Sequence, residues 1–184
     1  ILRRMDRRQP LDPGQVERAL QTIIQQADKL TRLVAQLLDV SRIEAEKLVL
    51  QREATDFSQL VESVVAAVQS SAPDHTLVVR TPGPVPALLD GVRIEQVVVN
   101  LLDNAVKYSP EGGPVEVVVT QPKAGWVRLA VRDHGIGIPA GNRDRLFDRF
   151  YQAHAGGPLT SMAGMGLGLY ISRRLVEAHS GKLW

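Results

Sequence analysis

The sequence predicts an α+β fold: a two-layer sandwich of a mixed, mainly antiparallel sheet with helices on one face, preceded by a long heptad helix from a helical bundle. Three observations carry this expectation. Val16, Leu20, Ile23, Ala27, Leu30, Val34 and Leu37 alternate in 4-3 spacing, the seam of a bundled helix. Beyond it, short apolar strand-like segments alternate irregularly with amphipathic helical ones, which suits one sheet layered by helices. Hydrophobic residues make up 44% and charged residues 23% of the 184, the balance of a chain that buries a core.

Each element has its own signal. Pro10, Pro13 and Gly14 place a turn over residues 9–14. The heptad segment then predicts a helix from about residue 14 to about residue 46, near 45 Å long at 1.5 Å per residue. Ile24, Leu33 and Leu38 widen its seam, so it needs more than one neighbour. Residues 1–8 suffice only for the last turns of a companion helix; the missing partners are expected upstream of Ile1, on another copy, or both. Residues 48–50 are a strand candidate. Asp56, with Gln59 three residues on, caps a helix carrying Leu60, Val61, Val64, Val65 and Val68. Residues 77–79 and 87–89 are short strands either side of a Pro/Gly turn. Asp90 caps a helix that stops at Ser109-Pro110. Residues 115–119 and 127–131 pair as an antiparallel meander. A loop over residues 133–166 holds one short helix near 143–150. The last helix runs from about Leu167 to His179, is closed by Gly181 at C′, and is followed by the start of a strand at Leu183-Trp184.

Composition removes several function classes. A net charge of +2, with no Lys/Arg cluster interleaved with aromatics, argues against nucleic acid. Aromatics at 4% leave no base-stacking platform. Without cysteine there are no disulfides and no thiolate metal sites. No apolar run nears the ~18 residues of a membrane span, and no signal peptide opens the chain. A cytoplasmic piece of a longer protein is expected, with membrane anchoring of the whole left open.

The chemistry concentrates in three clusters. On the helix ending at Tyr108, the residues Gln96, Asn100, Asp103, Asn104 and Lys107 share roughly a 100° arc, and the surrounding positions are apolar. Such a helix is mostly buried, and unpaired buried polar groups cost on the order of 1–3 kcal/mol each. Amide oxygens suit a hard cation such as Mg²⁺ and an ammonium suits phosphate, so the stripe reads as a nucleotide-site wall. Residues 133–139 (Asp-His-Gly-Ile-Gly-Ile-Pro) follow a strand. Asp133 can accept from an exocyclic amine, and the glycines allow a flat ring close to the backbone; an ordinary strand-exit turn explains the motif equally well. The run Gly164-Met165-Gly166-Leu167-Gly168-Leu169 opens the last helix, where free N–H groups bind phosphate, or a flexible loop simply meets a helix. Residues 155–161 between them are small and flexible, as a lid would be. There is no P-loop.

In their order, these clusters resemble the ATP-binding domain of sensor histidine kinases, in the superfamily shared with gyrase, Hsp90 and MutL. The resemblance rests on Asn100 to Tyr108, Asp133 to Gly137, Leu146-Phe147-Asp148-Arg149-Phe150-Tyr151, and Gly164 to Leu169, and covers roughly residues 54–184. The heptad helix is similar to the second helix of that family's dimerisation and phosphotransfer domain. The resemblance implies two domains: residues 1–47, part of the helical hairpin without its acceptor histidine, and residues 48–184, the catalytic domain without its last strand. It further implies ATP and Mg²⁺ as cofactors, with Asn100 and Asn104 on the metal and Lys107 on phosphate. Tyr108, Asp133, Gly135, Gly137 and Ile138 would bind the adenine end, and Gly164, Gly166, Leu167 and Gly168 the phosphates. Phe147 and Phe150 would root the lid or simply pack in the core.

The resemblance also implies a response-regulator receiver domain as partner and a homodimer through the helical bundle. Relatives that hydrolyse ATP carry Glu where this chain has Asn100, and an amide cannot take a proton from water. Asp103 and Glu95 do not replace it. Transfer to a histidine is therefore expected rather than hydrolysis; a gyrase/Hsp90-type ATPase, or a dimerisation module with a vestigial site, are the alternatives. None of His75, His134, His154 and His179 lies in the family's acceptor motif, so the acceptor is expected before Ile1. His179 is read as a helix C-terminal residue favouring positive charge, and His134 as a turn residue facing solvent. Gln152 stands where many relatives have a basic residue.

Overall fold

A computed structural model describes residues 12–153 and 165–184. The chain opens with α1 (Pro13–Glu44), capped by Asp12, whose Oδ1 accepts from Gly14 N at 3.1 Å. It follows the predicted span closely. Along this helix the heptad seam faces solvent: Leu20, Ile23, Leu30, Val34 and Leu37 are all exposed. Among the described residues, its packed part is the last turns, through Asp39, Val40 and Ile43. The helix ends with Glu46 at φ +53° and crossed bonds Glu46 N to Ile43 O and Lys47 N to Arg42 O, a Schellman closure. Among the described residues, no helix is long and apolar enough to cross a membrane.

The strand expected at residues 48–50 is not formed. Val49 is exposed, Leu48 packs against the end of α1, and Gln51 N donates to the Asp90 carboxylate instead of to a strand. The first strand is β1 (Glu53–Asp56), followed by α2 (Phe57–Ser71). Asp56 caps α2 as expected: its Oδ1 accepts from Ser58 N, and also from Val85 N across the chain. Next come β2 (His75–Arg80), β3 (Pro86–Leu89), α3 (Gly91–Lys107), β4 (Gly113–Lys123) and β5 (Trp126–Arg132).

Pairing among the described strands divides into two sheets. β1 and β3 pair antiparallel, while β2 pairs parallel and β5 antiparallel with the central β4. The pairing is thus mixed and mainly antiparallel, as predicted. Alternation along β4 sets the layers: Val115, Val117 and Val119 are buried, and Glu116 and Val118 are half-exposed. The buried face meets Val61, Val65 and Val68 of α2 and Val98, Leu102 and Ala105 of α3.

The helix predicted near 143–150 lies earlier, as a single 3-10 segment at Ala140–Arg145. Separate turns follow it, with Asp148 N on Arg145 O and Tyr151 N on Asp148 O, and Phe150, at φ +60°, donates its N–H to Gly166 O at 3.0 Å. The final helix, α4 (Gly168–Ala178), closes one residue differently from expectation. Ser180 at φ +61°, not Gly181, occupies the left-handed C′ position, with Ser180 N on Glu177 O and Gly181 N on Val176 O. Gly181 is small for another reason: a Cβ there would sit 2.9 Å from Val176 Cγ1. Leu183 and Trp184 form no strand among the described residues.

A second core joins three helices: Val40 of α1, Val97 of α3, and Leu167, Ile171 and Leu175 at and within α4. α3 therefore feeds both cores with different faces.

Candidate functional site

The site is built on α3, and Asp90 fixes where that helix starts. Its Oδ1 caps Arg93 N at 3.1 Å and its Oδ2 takes Gln51 N at 2.9 Å. Its own N–H donates to His179 Nε2 at 3.0 Å, while His179 Nδ1 donates to Leu175 O at 2.7 Å. That pair of bonds requires the neutral imidazole with its proton on Nδ1. His179 thus serves as an acceptor joining α4 to the cap of α3, rather than as the helix-end cation expected from its position.

The polar stripe of α3 divides among three partners. Gln96 turns to α1: its Nε2 donates to Asp39 Oδ2 at 2.8 Å, and Arg93 Nη1 donates to Asp39 Oδ1 at 2.9 Å and to Gln96 Oε1 at 3.1 Å. Asn100 turns to α4, where its Nδ2 donates to the buried Ser172 Oγ at 3.0 Å. Asp103 lies at the surface. Partial loss of water raises its carboxyl above the ordinary aspartate range, against the opposing pull of Arg32 on α1 and of Lys107. Asn104 is half-buried, and no hydrogen bond joins its carboxamide to another described residue. One helical turn on, Lys107 Nζ lies 3.1 Å from Tyr108 Oη and 4.6 Å from the ring centroid.

Two glycine segments close on this helix. Ile136 N donates to Tyr108 O at 3.0 Å, drawing the turn after β5 onto the end of α3. Gly135 has to be glycine, because a Cβ would lie 2.0 Å from Tyr108 O. Asp133 is exposed; its Oδ1 accepts from Gly135 N at 2.9 Å, so the turn itself engages one carboxylate oxygen. Gly137 takes φ +67°, and Ile136 and Ile138 are both exposed beside it. At the start of α4, a Cβ on Gly168 would lie 2.1 Å from Asn100 Oδ1, and one on Gly166 2.7 Å from the Phe150 carbonyl carbon. No side chain caps α4 at Leu167, so its first N–H groups lack a side-chain acceptor among the described residues.

The structure thus sets Gly135 and Ile136 against Tyr108, at the end of the helix that carries Asn100, Asn104 and Lys107, and sets Gly168 against Asn100; Asp133, Gly137 and Ile138 lie in the same turn as Gly135, and Gly166 and Leu167 directly precede Gly168. Gly164, the lid residues 155–161 and His154 lie outside the described residues. Phe147 is half-buried beside Arg173, with the guanidinium 5.5 Å from its ring, and Phe150 is 61% exposed, so Phe150 is not core. Arg149 pairs with Glu44 at the end of α1, tying the segment before the lid to that helix.

Two participants went unnoticed in the sequence. Asp39 is a buried acid on a heptad helix. Ser172 lies one helical turn after Gly168 on the buried face of α4. A polar residue on an apolar stripe is the signal each of them carries.

The donor set suits a hard cation shared with phosphate. Among the described residues no three His, Asp or Glu side chains cluster to form a cage. Mg²⁺ characteristically takes few protein oxygens and completes its shell with water and phosphate. The Asn104 carboxamide beside Lys107, with no partner among the described residues, fits that habit.

Comparison with known proteins gives the family. Residues 89–184 match the family model described as histidine kinase-, DNA gyrase B-, and HSP90-like ATPase. The chain is 36% identical over 163 residues to the sensor protein kinase WalK of Staphylococcus saprophyticus, covering 87% of this chain. It spans 26% of that protein's length. Among solved structures, full-length ShkA in complex with AMPPNP aligns with a TM-score of 0.74 at 28% identity, over 94% of this chain and 35% of that one. The Acinetobacter baumannii histidine kinase AdeS aligns with a TM-score of 0.69 at 27% identity, over 92% and 76%.

Proposed function

The chain belongs to the family of histidine kinase-, DNA gyrase B-, and HSP90-like ATPases, and from that premise we propose that it is the ATP-binding catalytic domain of a sensor histidine kinase. In this reading α1 and the residues up to 47 are part of the dimerisation and phosphotransfer bundle, and residues 48–184 form the catalytic domain. The observation that carries it is a convergence on one helix. The turn at Gly135 closes on α3 where a Cβ would strike the Tyr108 backbone carbonyl, and the glycine start of α4 closes on it where a Cβ would meet the Asn100 side chain.

Roles follow from the donor types. Asp133 Oδ2, the oxygen its own turn does not use, accepts from the adenine amine, with Tyr108, Gly135, Gly137 and Ile138 around the ring. Lys107 meets phosphate charge, and the glycine segment from Gly164 through Gly166 and Leu167 to Gly168 presents N–H groups to the phosphates. Asn100 and Asn104 offer amide oxygens to Mg²⁺, which when bound neutralises charge on the triphosphate. Catalysis is then positioning and charge neutralisation. An amide at position 100 cannot take a proton from water, so ATP is held for an external nucleophile.

That nucleophile is a histidine on the bundle, which passes the phosphoryl group to an aspartate on a response-regulator receiver domain; the working unit is a homodimer through the helical bundle of the whole protein. The described histidines support an acceptor elsewhere. His179 uses both nitrogens, His75 Nε2 lies 2.9 Å from Ser109 O, and His134 Nδ1 lies 3.2 Å from Pro114 O.

Calorimetric titration with AMPPNP and Mg²⁺ tests the reading, with saturable one-site binding expected. Incubation with γ-labelled ATP should leave the chain unlabelled. Absence of binding overturns the nucleotide site. Stable labelling overturns the acceptor assignment, and steady phosphate release lost in Asn100→Ala favours the gyrase-type ATPase.

A further inference from the structure

We infer that Ser172 is a positioning residue for magnesium-bound nucleotide, acting through the carboxamide of Asn100; the inference rests on the nucleotide site proposed above. Ser172 is 2% exposed on a helix face otherwise made of Leu167, Ile171 and Leu175. A hydroxyl in that setting gains nothing from packing that a methyl group would not give, and it has to be satisfied. It is satisfied by one bond across the helix interface, accepting from Asn100 Nδ2 at 3.0 Å.

That bond fixes where the carboxamide stands. A carboxamide offers a donor end and an acceptor end of nearly the same shape, and a cation takes only the oxygen. With Nδ2 engaged by Ser172, Oδ1 lies over Gly168, the first residue of α4, only 2.1 Å from where a Cβ would stand. Oδ1 therefore sits beside a helix start without a side-chain cap, where phosphate would be received. Without the Ser172 hydroxyl the carboxamide loses its anchor on α4, and its oxygen is no longer held at that helix start. Ser172 never touches nucleotide; it holds the Asn100 side chain in place.

Ser172→Ala in the full 184-residue chain tests this, using AMPPNP titrations in EDTA and across a Mg²⁺ series. The wild-type chain should bind more tightly as Mg²⁺ rises. In Ser172→Ala the Mg²⁺ concentration at half-effect should rise by about 10- to 100-fold, as for partners that orient a metal ligand. Metal-free affinity should stay within about twofold, and Ser172→Cys, which keeps a hydrogen-bonding group that is weaker and somewhat larger, should fall between the two. The same Cys variant gives the readout should the Ala variant fail to fold. An unchanged Mg²⁺ half-point overturns the inference, as does an equal loss of affinity with and without Mg²⁺, the mark of a merely structural role. A wild-type chain that binds AMPPNP but ignores Mg²⁺ overturns it too while leaving nucleotide binding intact. A wild-type chain that binds nothing removes the site itself.

Discussion

Asp39→Ala should detach the end of α1 from α3 at a cost that the geometry brackets. The carboxylate is 8% exposed and takes two bonds, from Arg93 Nη1 at 2.9 Å and from Gln96 Nε2 at 2.8 Å. Removing one partner of a buried ion pair costs about 3–5 kcal/mol, because the other charge is left without compensation. Arg93 is 21% exposed and keeps Gln96 Oε1 at 3.1 Å, so water and a residual acceptor soften the loss. An expectation of about 2–4 kcal/mol follows. Loss of this clamp should register in global stability, because Val40, the next residue, belongs to the core shared with Val97 of α3 and with Leu167, Ile171 and Leu175. Urea unfolding followed by circular dichroism reads the change, and Asp39→Asn, which keeps an acceptor oxygen, should lose less. A double-mutant cycle with Arg93→Ala should give a coupling of about 0.5–3 kcal/mol. A loss below about 0.5 kcal/mol together with zero coupling would refute the clamp, since surface changes of no consequence fall in that range.

Other perturbations probe the remaining joints of the site. Gly135→Ala should cost about 1–3 kcal/mol by overpacking, since its Cβ would meet the Tyr108 carbonyl oxygen at 2.0 Å; thermal melts and AMPPNP titration should both register it. His179→Ala leaves the Asp90 N–H without its acceptor and should lower unfolding free energy by about 1–3 kcal/mol, measured by urea unfolding. Asp103→Asn should raise the melting temperature at pH 7. The Asp103 carboxyl is raised by loss of water, so its stability contribution is fully present below the unfolded value and is lost as pH rises through the folded one. The advantage of Asn should therefore fade as pH drops below the ordinary aspartate value of 3.8, which melts across a pH series would show.

Local signals were legible and distant ones were not. Asp56 and Asp90 announce their helices because a cap acts within three residues, and both make the expected bonds. Residues 48–50 look like a strand because three apolar residues in a row fit any buried segment. What decides their conformation is Asp90 Oδ2, which takes Gln51 N from 39 positions away. Gly181 misleads for a similar reason: its smallness answers Val176, while Ser180 takes the left-handed turn. In the site, the amide stripe is readable from helical period alone. Its division is not, because the partners of Gln96 and Asn100 lie 57 and 72 positions away on other helices.

The composition of α3 follows from what surrounds it. Val98, Leu102 and Ala105 face the sheet, and Val97 with Leu101 faces α1 and α4, so two apolar faces leave only a narrow polar strip. Groups on that strip give up water, and each then needs a partner across a helix interface or in a ligand. Carboxylates there would need compensating cations, and Asp103, at the outer edge, already shows the cost as a raised carboxyl. Neutral amides avoid the charge penalty and still direct a dipole, which suits a surface that meets both a helix and a polyanion. Gln96 spends both ends of its amide within the protein, on Asp39 and Arg93, and Asn100 spends its donor end on Ser172. Asn104, one turn further along, finds no acceptor or donor among the described residues. The turn where the internal partners run out is the turn that holds Lys107 and meets Gly135, so the place left for a ligand is set by where the packing of α3 ends.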